Sequence, residues 1–266
     1  MSSERALESR LRAWRGFRDI AHATSSLAAS MVVRWTTHEA RARGHLAQTQ
    51  RLASAFPPAE PDPHGPSVLV AFGTDLGLCG RLNQSVAERL LEVAQAEPPT
   101  LCVVVGHRLA DALQDELPCQ REGAPSSIEA VLDLADRVEA EVARLGAARP
   151  ARLGCLRIDA AAREPLLDWG APPPAATGAP PARLWEPSQP APGVAEDLRR
   201  HARLVAAACA ALLGEARLRQ ATMRRAQDTA ERRIQEHERS LNRARQERIT
   251  QEMLEVRAGG RAGVGG

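Results

Sequence analysis

One stretch near the C-terminus decides the fold: LRRHARLVAAACAALLGEARLRQATMRRAQDTA, residues 198–230 of a 266-residue chain. Its apolar and small residues recur in alternating steps of four and three, which is the spacing of a left-handed coiled-coil seam. The seam positions are Leu198, Ala202, Val205, Cys209, Leu212, Ala216, Arg219, Met223, Ala226 and Ala230. A continuous helix from Leu198 to Val256 would be roughly 85–90 Å long, so we expect it to project from any globular part.

Proline divides the chain into arms and a middle. All 19 prolines lie between Pro57 and Pro192, and a helix interior tolerates proline poorly because a backbone hydrogen bond is lost. We therefore expect long helices at residues 1–56 and 194–258. The N-terminal arm has a poorer seam, formed by Ala21, Thr24, Ala28, Met31, Trp35, His38, Ala42, His45, Thr49 and Leu52. The two arms are expected to pair antiparallel within one chain, and a homodimeric coiled coil stays open as the alternative.

Between the arms, short apolar runs alternate with amphipathic ones. Strands are predicted at 67–73, 100–106 and 151–159, and helices at about 84–96, 107–117 and 126–146, with Ser126 or Ser127 as the cap of the last helix. Alternating strands and helices indicate a small α/β domain with a mostly parallel sheet. Residues 164–193 are expected to be a loose connector with one short strand around Leu184. The predicted limits are 67–190 for the α/β domain and 259–266 for a flexible tail.

Composition excludes several classes of enzyme. The chain has no lysine and no tyrosine. Walker-type phosphate loops and protein kinases need a lysine at the phosphates, and Schiff-base chemistry needs one at the substrate carbonyl. A net charge of +2 with only 3% aromatic residues argues against a dedicated single-strand nucleic-acid binder. No segment is predicted to be a signal peptide or a membrane span.

No cofactor or metal site is predicted. Gly73, Gly77 and Gly80 follow the first strand but fit neither the dinucleotide pattern nor the phosphate-loop pattern. The five cysteines are scattered and never form a CxxC pair, so neither a zinc site nor a disulfide framework is predicted. We interpret Cys79 as a small buried thiol and the glycine turn as a tight connection between strand and helix.

The last part of the C-terminal arm differs from the rest. In SLNRARQERITQEMLEVRAGG (240–260), polar residues cover most of the helical surface. A helix that is polar all round is either solvated and frayed or held inside a partner. Arg219 offers a similar choice, because it either extends along the edge of the seam or pairs with a carboxylate across the coil or on a partner.

These segments also resemble a known family. NRARQERITQEMLEV (242–256) resembles the C-terminal signature of the gamma subunit of F-type ATP synthases, and GEARLRQATMRRAQDTA (214–230) continues the resemblance. GTDLGLCGRLN (73–83) is similar to the family's SDRGLCGGLN turn, LWEPS (184–188) to its YEPS, and LAAS (27–30) to part of its first helix.

The resemblance implies a rotor and its partners. The family has an antiparallel helical shaft with a Rossmann-like foot, and it is not itself catalytic. The shaft turns inside the hexamer of alpha and beta subunits, while the foot sits with the epsilon subunit on the membrane c-ring, on the cytoplasmic side of the inner (plasma) membrane. By residue matching, Arg245, Gln246, Thr250 and Glu252 are implied contacts of the beta subunits, and Arg219 is implied as a partner-binding arginine of the lower shaft.

The sequence departs from the family pattern in its first helix and first turn. Asp19, His22 and Thr24 replace basic residues and a methionine, Met31 replaces a lysine, Leu76 an arginine and Arg81 a small residue. These departures suggest a divergent copy, belonging to an alternative ion-translocating ATPase. Two other hypotheses remain open: a coiled-coil scaffold or nucleic-acid-associated adaptor, favoured by the arginine-rich arms, and a small α/β enzyme with helical arms.

Overall fold

The computed structural model describes residues 2–53, 65–114, 116–146, 151–159, 161–170 and 192–262. The longest helices are α1, Ser2–Ala53, and α5, Pro192–Ala262. Contacts divide the chain into two compact units. The helical-pair unit joins Met1–Leu27 to Gln220–Gly266, and the sheet unit comprises Ala28–Arg219. The expected α/β class, with long terminal helices and a small sheet, is confirmed.

The sheet unit contains five strands. They are β1 Ser67–Phe72, β2 Leu101–Val105, β3 Gln120–Glu122, β4 Arg152–Ile158 and β5 Pro165–Asp168. Their order is β3-β2-β1-β4-β5. The first four run parallel, and β5 pairs antiparallel with β4. The central strand β1 is buried along its whole length, as expected for a strand covered on both faces.

Helices cover both faces of this sheet. On one face, α2 (Leu82–Ala96) and α3 (His107–Ala112) pack against side chains such as Leu69 and Val104. On the other, α4 (Ile128–Leu145) and residues 204–213 of α5 pack against Val68, Val70 and Val103. Trp35 of α1 joins this second core and is 1% exposed. The alternation along β1 follows from the two-residue period of a strand.

Local chemistry explains where the shorter helices begin and end. Ser127 caps α4 because its Oγ accepts a hydrogen bond from the N–H of Ala130 at 3.2 Å, which confirms one of the two predicted caps. Helix α3 ends at Ala112, five residues earlier than expected, and Gln114 adopts a left-handed φ of 48°. A residue in that conformation is a common way to end a helix.

In the helical-pair unit, α1 and α5 run antiparallel. Leu11 packs with Ile234 and Leu241 in a small apolar cluster, with Leu7 and Trp14 at its edge. Nearby, Arg15 forms an ion pair with Glu238 at 2.7 Å. The structure therefore shows α1 and α5 pairing within one chain. A second copy of the chain is not needed to cover the apolar cluster around Leu11.

Several elements differ from the sequence expectations. The strands β3 and β5 were not predicted, and β5 lies in the segment expected to be a loose connector. Helix α5 continues to Ala262, into the segment 259–266 predicted to be a flexible tail. The strand expected around Leu184 and the LWEPS motif lie outside the described residues. Within the described ranges, no helix is both long enough and apolar enough to span a bilayer.

Candidate functional site

The turn after β1 is closed by hydrogen bonds within the sheet unit. The backbone N–H of Thr74 donates to Asn83 Oδ1 at 3.0 Å, and Asn83 Nδ2 donates to Thr74 Oγ1 at 2.9 Å. The Asp75 carboxylate accepts hydrogen bonds from the backbone N–H groups of His107 and Ala124 at 2.8 and 3.0 Å. Asp75 therefore ties the turn to the start of α3 and to the loop after β3.

Arg219 approaches the same turn from α5. Its side chain is buried and forms an ion pair with Glu215, one helical turn earlier. Its Nε also lies 3.4 Å from the carbonyl oxygen of Gly77, and its Nη2 lies 3.5 Å from that of Leu76. The structure thus gives Arg219 an intramolecular role, and its expected role in binding a partner stays a prediction.

Burial sets the protonation behaviour of this cluster. Desolvation raises the pKa of the Glu215 carboxyl, and the Arg219 guanidinium opposes that shift. Desolvation also raises the pKa of the Cys79 thiol to about 11, although Arg219 lowers it. Cys79 is 3% exposed, so the thiol stays protonated at neutral pH. This agrees with its interpretation as a buried thiol, because a nucleophilic cysteine needs a depressed pKa.

The other expected site residues lie on α5 in the helical-pair unit. Arg245 donates from Nε to Glu4 Oε1 at 3.0 Å and from Nη2 to Glu8 Oε1 at 2.7 Å. Arg248 lies 3.3 Å from the second oxygen of Glu4. Arg245 thus already has two carboxylate partners on α1, which the sequence did not reveal because α1 and α5 are distant along the chain.

Gln246, Thr250 and Glu252 are all exposed. The hydroxyl of Thr250 donates to the carbonyl oxygen of Gln246 at 2.9 Å, and Glu252 lies 3.7 Å from the guanidinium of Arg248. The structure brings these residues onto one helical segment with Arg245. Arg219 lies in the sheet unit instead, so the five predicted residues form two separate groups.

Exposed apolar side chains follow Arg245 along α5. Ile249, Met253 and Val256 are 50%, 70% and 77% exposed. Their spacing of four and three places them on one face of the helix. The polar composition of this segment hides the apolar face, and the sequence signal for it is the helical spacing of these three side chains.

Among the residues that the structure describes, no group of three or more histidine, cysteine, aspartate or glutamate side chains is placed to hold a metal ion.

Comparison with solved structures gives full-length matches. A chain of the Euglena gracilis mitochondrial ATP synthase, in a structure of OSCP, F1 and the c-ring in rotational state 3, matches with a TM-score of 0.65 and 16% identity over 98% of this chain and 94% of that one. A chain of the rotor of the same enzyme in rotational state 1 matches with a TM-score of 0.60 and 17% identity over 93% and 99%.

A third match comes from the central stalk and c-ring of the Tetrahymena thermophila mitochondrial ATP synthase, with a TM-score of 0.54 and 14% identity over 78% of this chain and 99% of that one. No protein-family model matches the sequence, and no curated protein matches it significantly. Identities this low establish the fold alone. The chain has the fold found in the rotor and central-stalk structures of these ATP synthases, in agreement with its resemblance to the gamma subunit.

Proposed function

We propose that this chain is the central rotor subunit, of the gamma type, in an ATP synthase or ATPase. The observation that carries the proposal is the match of nearly the whole chain to rotor and central-stalk structures. It couples rotation at the membrane c-ring, driven by ion flow, to nucleotide turnover in the hexamer of alpha and beta subunits. It is not itself catalytic, and it acts as a peripheral component on the cytoplasmic side of the membrane, together with the epsilon subunit.

The surface of the helical-pair unit has features that suit binding to another protein. The stripe formed by Ile249, Met253 and Val256 is exposed, and apolar side chains at helical spacing on a polar helix are typical of a surface that another protein covers. Residues 2–27 and 220–262 contain 15 arginines against 10 acidic residues. A partner with acidic groups would complement this charge. We propose Arg245, Gln246, Thr250 and Glu252 as contacts with the beta subunits.

The internal ion pairs of Arg245 fit this role. Glu4 and Glu8 hold the guanidinium in place on the surface of the helical pair. A guanidinium that carries five donors can keep one carboxylate while it offers other N–H groups to a partner. The pairing therefore orients Arg245, and it also ties the first turns of α1 to the segment of α5 that we propose contacts the hexamer.

Reconstitution tests the proposal. The chain is mixed with the alpha and beta subunits of its own source, and the product is examined by gel filtration and by steady-state ATPase assay. We expect a stable complex whose ATPase activity depends on the chain. The matched control is the chain cut after Leu241, which lacks the segment 242–266 but keeps the whole sheet unit. Equal activity with and without the full chain, or no complex at all, would contradict the proposal.

A nucleic-acid adaptor is the second candidate, favoured by the same excess of arginine. Arginines that neutralise phosphates give an affinity that falls steeply with salt concentration. Binding of duplex DNA that survives physiological ionic strength, together with no binding of alpha and beta subunits, would favour this function over a rotor.

A further inference from the structure

Two of the five cysteines are neighbours in the sheet. The parallel register places Val103 of β2 opposite Gln120 of β3. Cys102 of β2 and Cys119, which lies just before β3, are one position beyond this register, and extending it places them side by side. Both side chains belong to the same face, because Cys102 is part of the core beneath α2 and α3 and Cys119 packs against that core. The pairing leaves no signal in the sequence, since 16 residues separate the two cysteines.

We propose that Cys102 and Cys119 are a thiol-oxidation site that closes reversibly to a disulfide. Residues directly adjacent on neighbouring strands lie about 4.8 Å apart, and a disulfide requires Cα atoms roughly 4.4–6.8 Å apart. Both cysteines are free thiols in the structure. The strand β3 has only three residues and lies at the edge of the sheet, so a small shift of Cys119 disturbs few ladder hydrogen bonds.

The exposure of the two thiols sets the order of events. Cys102 is 3% exposed, whereas Cys119 is half-buried, so a small oxidant reaches Cys119 first. With a low-molecular-weight disulfide as the oxidant, the Cys119 thiolate attacks one of its sulfurs. The small disulfide bond breaks, one small thiolate leaves, and a mixed disulfide forms at Cys119.

The second step closes the protein disulfide. Cys102 loses its proton to water and its sulfur attacks Cys119 Sγ, which breaks the mixed disulfide and releases the second small thiolate. Two protein thiols are thereby oxidised by two electrons, and one small disulfide is reduced to two thiols. Burial, and secondarily the charge of Cys119, raise the pKa of Cys102 to about 12. This step should therefore accelerate as pH rises.

The other cysteines provide the contrast. Cys155 and Cys209 are 1% and 0% exposed. Cys155 of β4 and Cys209 of α5 belong to the core on the other face of the sheet from Cys102. A small oxidant meets neither of them at the surface. Only the pair of Cys102 and Cys119 combines, among the described cysteines, a half-buried thiol with a neighbouring thiol on the same sheet face.

Thiol mapping of the full chain tests the proposal, and it stands independently of the proposed function. The folded chain is equilibrated in buffers of reduced and oxidised glutathione, quenched with N-ethylmaleimide, and analysed by peptide mass spectrometry and thiol titration. We expect a peptide linked through Cys102 and Cys119, a decrease from five free thiols to three, and full reversal by dithiothreitol. The oxidised chain should melt several degrees higher than the reduced one, because the bridge closes an 18-residue loop.

Matched variants separate the proposal from nonspecific oxidation. Cys119→Ser should abolish the linked peptide without leaving a cavity in the core, since Cys119 is half-buried and serine is of similar size. Cys209→Ala should leave the linked peptide in place. The proposal would be overturned by a Cys119–glutathione adduct that never transfers to Cys102, by a different cysteine pair, or by a linked peptide that forms only after the chain is unfolded. Wild-type mapping decides the question even where a variant fails to fold.

Discussion

At the level of single residues, Arg219 and Glu215 form the most consequential polar contact in the sheet unit. Both are buried, and Arg219 also reaches the carbonyl oxygens of Leu76 and Gly77. Removing one member of a buried pair leaves the other charge without compensation, whereas replacing both with apolar residues of similar size is often nearly neutral.

We therefore expect Glu215→Leu to destabilise the chain by about 3–5 kcal/mol. The double substitution Glu215→Leu with Arg219→Met should recover much of that loss. Urea unfolding followed by circular dichroism measures both. The control is Arg233→Ala, which removes an exposed ion pair with Glu236 and should have little effect. If the double variant is as unstable as the single one, the buried pair is not the source of the loss.

Arg245 leads to a prediction of the opposite kind, affecting activity rather than stability. Its ion pairs with Glu4 and Glu8 are exposed, and exposed pairs contribute little to folding. Arg245→Ala should leave the isolated fold intact but reduce ATP turnover of the assembled complex by several-fold to about a hundredfold, with a milder effect for Gln246→Ala. The matched control is Arg243→Ala on the same helix. Wild-type turnover with Arg245→Ala would argue against a partner contact.

The cysteines provide a pH prediction, because the chain has no lysine and no tyrosine. Cysteine is consequently the one side chain that titrates between about pH 9 and 11. Burial raises the pKa of Cys79 and Cys209 from 9.0 to about 11. Their folded-state pKa lies above the unfolded value, so the stability they contribute is complete below pH 9 and is lost as pH rises toward 11.

We expect stability of the reduced chain to fall by up to about 1.4 kcal/mol per pH unit for each buried thiol in this window. Urea midpoints measured from pH 8 to 11 with a phosphine reductant test this. Cys79→Ala lowers stability at pH 8 but should flatten the slope. An unchanged slope in that variant would mean that Cys79 is not buried as a neutral thiol.

At the level of elements, the long helices were predictable and the edges of the sheet were not. The seam and the absence of proline gave α1 and α5, because both features persist over dozens of residues. The strand β3 has the sequence Gln-Arg-Glu, which shows no apolar alternation, and β5 begins with Pro165. Both strands depend on pairing with β2 and β4, and that tertiary contact leaves no signal in three or four residues.

The site was predictable to a similar degree. The resemblance located Arg245 and its neighbours on one helix, but it gave no sign of Glu4 and Glu8 as partners, since 237 residues separate Arg245 from Glu8. Glu215 and Arg219 are four residues apart, which suits an ion pair along one helix, but the partner expected for Arg219 was a carboxylate across the coil or on another protein. Their burial against the turn after β1 could be known only from the fold.

Pairing of α1 with α5 is tested at this scale by cross-linking. The guanidinium of Arg15 and the carboxylate of Glu238 lie 2.7 Å apart, and these long side chains bridge a wider gap between the two backbones than a disulfide can span. Cysteines at both positions should therefore be joined within one chain by a short bismaleimide cross-linker at low protein concentration. Mass spectrometry after cross-linking should show a monomer with the linked peptide. The control pairs Glu238→Cys with Arg5→Cys, ten residues away along α1, and should not cross-link. A product found only in dimers would favour the homodimeric coiled coil.

At the level of the whole molecule, the fold is similar to that of solved structures even though the sequences differ at most positions. Identities of 16% and 17% accompany TM-scores of 0.65 and 0.60 over nearly complete chains. A seam needs apolar or small residues at regular intervals, and a parallel sheet needs buried strands covered by helices. Many sequences satisfy both conditions, so the architecture can persist while most residues change.

The last prediction concerns catalysis by the whole chain. We expect the purified protein alone to hydrolyse no ATP, because the sequence has no lysine for a phosphate loop. In addition, the polar groups of the turn after β1, where a phosphate would have to bind, are occupied by Asn83, His107 and Ala124. A phosphate-release assay at micromolar protein measures this, with the alpha and beta subunits as the positive control. Turnover that co-purifies with the chain and survives removal of contaminating ATPases would require a catalytic site in this fold, and would overturn the rotor assignment.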